Sequence, residues 1–516
     1  MKTILKEFFF CVILILTISL SSSTAQGQID QYVVLIPTHT TSGEYSGDYD
    51  LKGTKVYSDG YIRWGAGTPK PISEMQVREY DPSAIPDGSG GMFICYTIEH
   101  TDEENGGDHD IVMRHIDSEG ADLWDDSLSG AVLLLAQSEH LEVHPHLIPS
   151  ADGAIVLYEV EYISGAYKGE VDVAALRVDG NGKLVWENAI WVANSDRHER
   201  IVDAWSDGYG NAIALIQRNN NSDKGTFSGD LVAVKISSEG ITGWGGAKGN
   251  LVVVAGSPHS EENPAIVPDG QGGAFIAYEL HYTSGTRAGD VDLIAQHLTV
   301  NGDRLWLDPE NPPVISSNPR ARELSPSITA DSAGITVAFE MVFDDDKAKE
   351  NSLRVVAAQR MDQNGYRVWN GGDKPQVILA KNRGVEKPIA VSDRNGGTYI
   401  VMEGVDSATG DRDIFAQYLD KNGKRSWGKE GYSLPVFFGP MPESNACATV
   451  DSYGGLIVVA VEGITYRLES TKSNDSTIIA QRMNSKGEAT WGGSDANLIL
   501  SRCQIGEYKL KLIRTK

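Results

Sequence analysis

The chain has 516 residues, of which 55 are glycine and 22% are charged, and its formal net charge is −26. Such an acidic chain is repelled by phosphate backbones and anionic lipids, so nucleic acid and anionic membrane surfaces are disfavoured as partners. The composition fits a soluble extracytoplasmic protein, a cation binder, or a protein that recognises neutral or basic ligands.

The first 25 residues have the pattern of a secretory signal peptide. Lys2 and Lys6 form a basic start, residues 8–20 are apolar, and residues 23–25 are a small-residue cleavage site. The apolar run is too short to span a bilayer, and we expect no membrane span later in the chain. Loss of Lys2, Lys6 and Glu7 leaves 43 basic and 70 acidic side chains, a charge of −27. We therefore expect residues 26–516 to form the mature, secreted or periplasmic protein.

Three cysteines remain in the mature chain, which is too few for a disulfide framework. A bond between Cys447 and Cys503 would tie the last repeat to the C-terminal tail. Cys95 lies in an apolar segment, where a buried and inert thiol is the usual case.

The first predicted elements after the leader are a strand at residues 32–36 and a strand pair within residues 49–72. A repeated unit then begins, and residues 262–316 show it most clearly. Residues 264–267 predict a strand A, residues 274–279 a strand B, residues 292–298 a strand C and residues 313–316 a strand D. The A–B turn is rich in glycine and carries an aspartate. The tail predicts strands at residues 497–500 and 508–513.

A short turn that ends in tryptophan marks every repeat. Successive motif tryptophans are 58 to 64 residues apart, and they account for eight of the ten in the chain. The glycine and tryptophan of each turn are Gly60/Trp64, Gly120/Trp124, Gly182/Trp186, Gly240/Trp244, Gly302/Trp306, Gly365/Trp369, Gly423/Trp427 and Gly487/Trp491. Four short strands per repeat of ~60 residues predict the blade of a β-propeller.

We therefore predict an all-β fold, a single β-propeller over residues 26–516 with eight four-stranded blades. The first blade has no strand A of its own, and the strand at residues 508–513 could enter it and close the ring. Seven blades with an N-terminal appendage are the alternative.

A family resemblance supports this fold. The complete step Asp-x-x-Gly-x-x-x-Trp, which begins at Asp117, Asp179, Asp362 and Asp420, resembles the tryptophan-docking motif of quinoprotein-type eight-bladed propellers. The whole repeat is similar to repeats of secreted bacterial surface proteins. The resemblance implies a fold but no quinone cofactor, because the vicinal cysteine pair of those dehydrogenases is missing here. We expect no cofactor.

One face of such a propeller carries the B–C loops and the D-to-A links, and we call it the loop face. Function usually lies in loops on a rigid scaffold. Carboxylates recur there at matching positions, and we predict that they bind a partner: Glu79, Glu142, Glu159, Glu261, Glu279, Glu323 and Glu340. An alternative is Ca²⁺ binding by Asp108, Asp110, Asp290 and Asp292, since Ca²⁺ prefers several oxygen ligands. A residue repeated in most blades can also be purely architectural.

Histidines are distributed on one side only, because all eleven lie between His39 and His297. They suggest a second hypothesis, a polysaccharide lyase or hydrolase in which His144, His146, His198 and Tyr162 supply the catalytic groups. Our preferred hypothesis is a non-enzymatic propeller that binds a protein or glycan partner through its acidic loop face.

Overall fold

The computed structural model describes sixteen segments of the chain. They are residues 30–39, 49–64, 68–102, 106–124, 132–219, 229–245, 249–306, 313–343, 353–372, 374–378, 384–405, 410–429, 432–463, 475–492, 497–504 and 511–514. The predicted signal peptide lies outside these residues. Nearly all regular structure in the described part is β-strand, and the predicted all-β propeller class is confirmed.

The strands follow one another in groups of four. The first sixteen are β1 (Gln31–His39), β2 (Tyr49–Tyr57), β3 (Lys70–Ser73), β4 (Arg78–Pro86), β5 (Met92–Glu99), β6 (His109–Ile116), β7 (Leu133–Ala136), β8 (Leu141–Ser150), β9 (Gly153–Glu161), β10 (Val171–Asp179), β11 (Ile190–Ala193), β12 (Glu199–Ser206), β13 (Ala212–Asn219), β14 (Gly229–Ile236), β15 (Val252–Ala255) and β16 (Ser260–Pro268). The others are β17 (Ala274–His281), β18 (Val291–Leu298), β19 (Val314–Ser316), β20 (Arg322–Asp331), β21 (Gly334–Phe343), β22 (Leu353–Asp362), β23 (Gln376–Ile378), β24 (Gly384–Ser392), β25 (Thr398–Val405), β26 (Arg412–Leu419), β27 (Leu434–Phe437), β28 (Glu443–Val450), β29 (Leu456–Glu462), β30 (Asp475–Met483), β31 (Leu498–Gln504) and β32 (Lys511–Arg514). Two short 3₁₀ turns lie at Gly285–Arg287 and Trp369–Gly372.

Each group is an antiparallel sheet in which strands A, B, C and D lie side by side. We number the groups as blades in chain order. Blade 1 has the order β3-β2-β1-β32, so the C-terminal strand supplies its strand A, as predicted. Val33 pairs with Ile513 there. The strands of blades 4 and 5 form one eight-stranded sheet, because a single backbone pair, Gly229 and Glu261, joins the two blades.

The B strands are continuous apolar runs because both of their faces are covered by neighbouring blades. In β5, for example, all residues but the last are buried. Hydrophobic clusters form between successive blades, such as the one that joins Ile155 and Val173 of blade 3 to Ile216 and Val234 of blade 4. Among the described residues, the hydrophobic core therefore consists of layers that lie between successive blades.

The tryptophans of the C–D turns connect one blade to the next. A Cβ atom placed on Gly365 would lie 2.8 Å from Cγ of Trp306, and the Trp306 Nε1 atom donates to the carbonyl of Gln363 at 3.0 Å. Around the ring, Trp491 of blade 8 donates to the carbonyl of Ser58 in blade 1 at 3.0 Å and lies against Gly60. The contact between the first and last blades thus has the same form as the contact of Trp306 with Gly365.

The A–B and C–D turns share the face opposite the loop face, and we call it the turn face. In most A–B turns, the aspartate organises its own loop. Asp269 Oδ1 accepts from the backbone N–H groups of Gln271 at 2.7 Å and Gly273 at 2.9 Å. Its Oδ2 atom contacts Nε2 of His297 in strand C at 2.9 Å. His115 contacts Asp87 in the same way in blade 2. These two histidines are structural and lie away from the loop face.

The strand order argues against a bond between Cys447 and Cys503, which the sequence left possible. Strands β28 and β31, which carry these residues, lie at opposite edges of one sheet. Three strand spacings separate their backbones by about 14 Å, whereas a disulfide requires Cα atoms within about 7 Å. Among the described residues, no helix is long and apolar enough to cross a membrane.

Candidate functional site

The glutamates at the ends of the B strands connect neighbouring blades. Glu279 of blade 5 accepts from the backbone N–H of Ser325 in blade 6 at 2.7 Å. The same bond occurs at three other places. The backbone N–H of Ile201 donates to Glu159 at 2.9 Å, that of Lys387 to Glu340 at 2.8 Å and that of Asn445 to Glu403 at 3.0 Å. These residues are buried and link neighbouring blades, and binding of a partner by Glu159, Glu279 and Glu340 stays a prediction.

Three of the four N–H donors of these bonds lie on a strained backbone. Ser325, Lys387 and Asn445 have φ angles of 54°, 50° and 51°, in the left-handed region that non-glycine residues avoid. Each lies where the register of strand A shifts. A β-bulge that turns the N–H towards the previous blade explains why a carboxylate recurs opposite it.

A second set of glutamates lies at or near the start of strand A, at the boundary between two blades. Ser73 donates to Glu79 at 2.7 Å, Ser316 donates to Glu323 at 3.1 Å, and the backbone N–H of Ser257 donates to Glu261 at 3.0 Å. Ser138 bonds Glu142 in the same way. These four predicted binding residues are almost fully buried.

Three of these glutamates, and Glu199 at the matching position of blade 4, face an aspartate in strand C of the preceding blade. Burial and the nearby Asp110 raise the pKa of Glu142 to about 7, and burial and Asp172 raise the pKa of Glu199 to about 7. The pKa of Glu323 is raised to about 8 by burial and the adjacent Asp292. Near neutral pH, burial and the nearby aspartates therefore favour the protonated form of these glutamates.

The three histidines predicted to be catalytic contact different groups. His144 Nδ1 lies 3.1 Å from Glu159, and its Nε2 lies 3.4 Å from Asp81. Although burial acts to lower it, these carboxylates raise the pKa of His144 to about 8. His146 lies 3.7 Å from Asp203. The backbone carbonyl of His198 accepts from the N–H of Asn219.

The aspartates predicted to bind Ca²⁺ already contact basic side chains. His100 Nε2 lies 2.9 Å from Asp110, and Asp108 accepts from the backbone N–H of His109. Arg287 contacts both Asp290 and Asp292. Within the described residues, no three His, Cys, Asp or Glu side chains are arranged to hold a metal ion. Binding of Ca²⁺ by these residues stays a prediction.

An open cleft of about 400 Å³ lies on the loop face of blade 3, between its B–C loop and the link that follows strand β11. We call it the blade-3 cleft. Its lining residues are Tyr162, Tyr167, Glu170, Asp172, Trp191, Asn194, Ser195 and Asp196. Tyr167 is 60% exposed and Trp191 is 45% exposed. The cleft therefore combines open aromatic surface with three carboxylates.

The floor of the cleft is fixed by a tyrosine that the sequence had suggested as a catalytic group. The Tyr162 hydroxyl donates to Oδ2 of Asp172 at 3.0 Å, and the rings of His140 and Tyr162 lie 4.8 Å apart. Burial and the adjacent Asp172 raise the pKa of Tyr162 to about 12. The phenol therefore stays protonated at neutral pH and positions Asp172.

Sequence reasoning missed Tyr167 and Trp191, although the sequence contained a signal. Trp191 is one of the two tryptophans outside the turn motif. It is an exposed residue of strand D. The matching exposed residues of β15 and β19 are the smaller Val253 and Val314. This departure from the repeat marks blade 3.

No protein-family model matches the chain, and no curated protein matches it. Among solved structures, the β-propeller domain of the Trilobed protease from Pyrococcus furiosus is 11% identical, with 82% of this chain and 95% of that chain covered and a TM-score of 0.39. An ulvan lyase is 10% identical, with coverages of 85% and 95% and a TM-score of 0.36. A puromycin-hydrolyzing peptidase from Mycobacterium tuberculosis is 12% identical over 84% of this chain, with a TM-score of 0.44. This chain spans about half of that peptidase, at 54%. Similarity at this level carries no information about activity.

Proposed function

We propose that this chain is an extracytoplasmic, non-enzymatic propeller whose loop face binds a protein partner at the blade-3 cleft. The observation that carries the proposal is the cleft itself, with Tyr167 and Trp191 exposed beside Glu170, Asp172 and Asp196. Aromatic side chains in a pocket are typical centres of protein interfaces, because they bury a large area with little loss of conformational freedom. The N-terminal leader pattern supports export.

The contacts of the loop face favour binding over catalysis. Glu159 and His144 bond to one another, and a histidine with a raised pKa of about 8 is protonated at pH 7 and cannot accept a proton there. Tyr162, with a pKa raised to about 12, is likewise protonated at pH 7 and cannot accept a proton there. The carbohydrate-active enzyme is therefore the less favoured alternative, and a glycan ligand is an outcome that the experiment below distinguishes.

The cleft gives a direct test of this function. The mature protein and a Tyr167→Ala/Trp191→Ala variant are immobilised and exposed to envelope and culture proteins of the source cell, and the bound proteins are quantified by mass spectrometry. We expect a specific partner to bind the unchanged protein and to lose at least about tenfold in affinity for the variant, since hot-spot truncations cost about 2 kcal/mol or more. The partner is then purified, and its Kd is measured by calorimetry.

The matched control is Tyr209→Ala/Tyr366→Ala, which removes two exposed tyrosines from the turn face. This variant is expected to bind like the unchanged protein. Equal loss in both variants would overturn the proposal, as would turnover of a polysaccharide by the mature protein. Binding to immobilised glycans but to no protein would replace the protein partner by a glycan.

A further inference from the structure

The B–C loops of blades 3 and 5 are copies of one structure. Both contain tyrosine, serine, two glycines and two acidic residues at matching positions, in residues 162–172 and 282–292. Gly169 donates to the carbonyl of Tyr162 at 2.6 Å, and Gly289 donates to the carbonyl of Tyr282 at 2.8 Å. The aromatic pair beneath also repeats, because His259 lies 5.0 Å from Tyr282 as His140 lies 4.8 Å from Tyr162.

Five positions differ between the two loops, and Lys168 of blade 3 stands where blade 5 has Ala288. The difference that matters for the cleft is at residue 287, which in blade 5 is arginine. The guanidinium carbon of Arg287 lies 4.1 Å from the centre of the Tyr282 ring. Its Nη2 atom donates to Asp290 Oδ2 at 2.6 Å and to Asp292 Oδ1 at 2.5 Å, and it contacts Ser317 Oγ at 3.3 Å. Blade 5 thus shows how this loop receives a guanidinium group: on a tyrosine face, between two carboxylates.

In blade 3 the corresponding residue is Tyr167, and the groups that would receive the guanidinium are still present. Tyr162 replaces Tyr282, Glu170 replaces Asp290 and Asp172 replaces Asp292. No arginine or lysine is among the described residues that line the cleft. The acidic aromatic site of blade 5 is therefore repeated in blade 3 without the arginine.

An atom of Asp172 marks the position that the guanidinium takes in blade 5. Asp172 is 6% exposed, its Oδ2 accepts from Tyr162, and its Oδ1 has no hydrogen-bond partner. In blade 5, Oδ2 of Asp292 accepts from Tyr282 at 3.0 Å and Oδ1 accepts from Arg287. Asp172 also faces Glu199 across the blade boundary, and a cationic donor in the cleft would bond the Asp172 carboxylate as Arg287 bonds Asp292.

We infer that the blade-3 cleft binds the guanidinium group of an arginine on the partner protein. This inference rests on the proposed function and adds the chemical group that is recognised. The planar guanidinium would stack on the Tyr162 face and donate to Asp172 and Glu170, and Trp191 and Tyr167 would cover its aliphatic chain. A guanidinium suits this site better than an ammonium group, because only the planar fork stacks on a ring while it bonds two carboxylates.

Small blocked amino acids test the inference without knowledge of the partner. N-acetyl-arginine methylamide, the citrulline and lysine analogues and glucosamine are each added to the mature protein, and binding is followed by saturation-transfer NMR. We expect the arginine compound to bind, the lysine compound to bind several-fold more weakly, and the neutral citrulline compound to give no signal. Equal binding of arginine and citrulline would overturn the inference, as would binding of glucosamine alone.

Two variants separate recognition in the cleft from attraction to an acidic protein. Tyr167→Arg places in blade 3 the side chain that fills blade 5, and it is expected to reduce binding of the arginine compound at least tenfold. Tyr366→Arg adds the same charge to a tyrosine of similar exposure, 57%, on the turn face, and it is expected to leave binding unchanged. Equal effects of the two variants would mean that binding of the arginine compound depends only on the net charge of the protein, and would overturn the inference. Trp191→Ala gives a second, independent loss if the first variant folds poorly.

The two proposals can fail separately. A partner that binds through Trp191 and is not displaced by the arginine compound would overturn the guanidinium inference and leave the binding function intact. Loss of the partner in the control variants as well would overturn the binding function itself.

Discussion

At the scale of single residues, a side chain can repeat through the chain because it makes the same bond each time. Glu159, Glu279, Glu340 and Glu403 look like a ring of ligand-binding carboxylates in the sequence, yet each accepts a backbone N–H from the next blade. The residues that differ between blades, Tyr167 and Trp191, provide the open surface instead. Repetition here indicates architecture, and the binding site that we propose lies where one blade departs from the repeat.

Glu279→Ala tests the structural role of these glutamates. The substitution leaves the N–H of Ser325 without its acceptor and removes the partner that lies 2.7 Å from His281. We expect the free energy of unfolding to fall by about 2–4 kcal/mol, the usual cost of a buried group that loses its charged partner. Chemical denaturation followed by circular dichroism measures it.

The matched control is Glu262→Ala, which removes a part-exposed carboxylate 3.6 Å from the same His281. A change within about 0.5 kcal/mol is expected for this surface position. A Glu279→Ala protein as stable as its control would show that the inter-blade bond contributes nothing.

At the scale of elements, the tryptophan turn connects each blade to its neighbour. The glycine of the turn has a positive φ angle, +80° at Gly365, and the indole of the preceding blade lies directly against it. Both the backbone conformation and the space exclude a side chain. This double requirement explains why glycine and tryptophan recur together in all eight turns.

Gly365→Ala separates these two requirements when it is compared with Gly371→Ala. A Cβ atom at residue 365 would meet Trp306 at 2.8 Å, whereas none of the described atoms lies within 4 Å of one at residue 371, where φ is +68°. We expect Gly371→Ala to destabilise by about 1 kcal/mol through the backbone alone and Gly365→Ala by about 2–4 kcal/mol, because overpacking adds to it. Thermal and urea unfolding of both variants measure the difference. Equal destabilisation would show that the indole moves aside at no cost.

At the scale of the whole molecule, the closed ring repeats a buried carboxyl pair at several blade boundaries. Burial and a facing aspartate raise the pKa of Glu142, Glu199 and Glu261 to about 7, and that of Glu323 and Glu443 to about 8. Since the ordinary value is 4.5, the native chain binds more protons than the unfolded chain between pH 4.5 and these values. Stability therefore falls as pH rises through this window.

The pH dependence of unfolding tests this arrangement. The urea midpoint is expected to be lower at pH 8.5 than at pH 5.5, and the raised pKa of His144 adds to the effect in the same direction. Glu443→Gln replaces one ionisable group, which faces Asp413, Glu462 and Asp411, with a neutral amide. This variant is expected to show a smaller difference between the two midpoints. A midpoint that rises with pH, or an unchanged pH dependence in the variant, would contradict the raised pKa values of these glutamates.

The sequence by itself determined the repeat and therefore the fold class. Glycine, aspartate and tryptophan at fixed spacing specify local turns, and apolar runs of strand length specify strands buried on both faces. Even the pairing of the C-terminal strand with β1 followed from counting, because blade 1 lacked one strand. These features are local or periodic, so their physical causes are visible along the chain.

Only the tertiary structure decided what the polar residues of the loop face do. The partner of Glu279 is Ser325 in the next blade. The blade-3 cleft lies beside Tyr162, where Tyr167 replaces the Arg287 of blade 5. Such contacts join residues that are distant in sequence or compare two blades position by position. Hydrogen bonding and charge pairing are short-ranged, so they depend on where the fold places each group. The residue types alone favoured a non-enzymatic propeller but left metal binding and catalysis as alternatives.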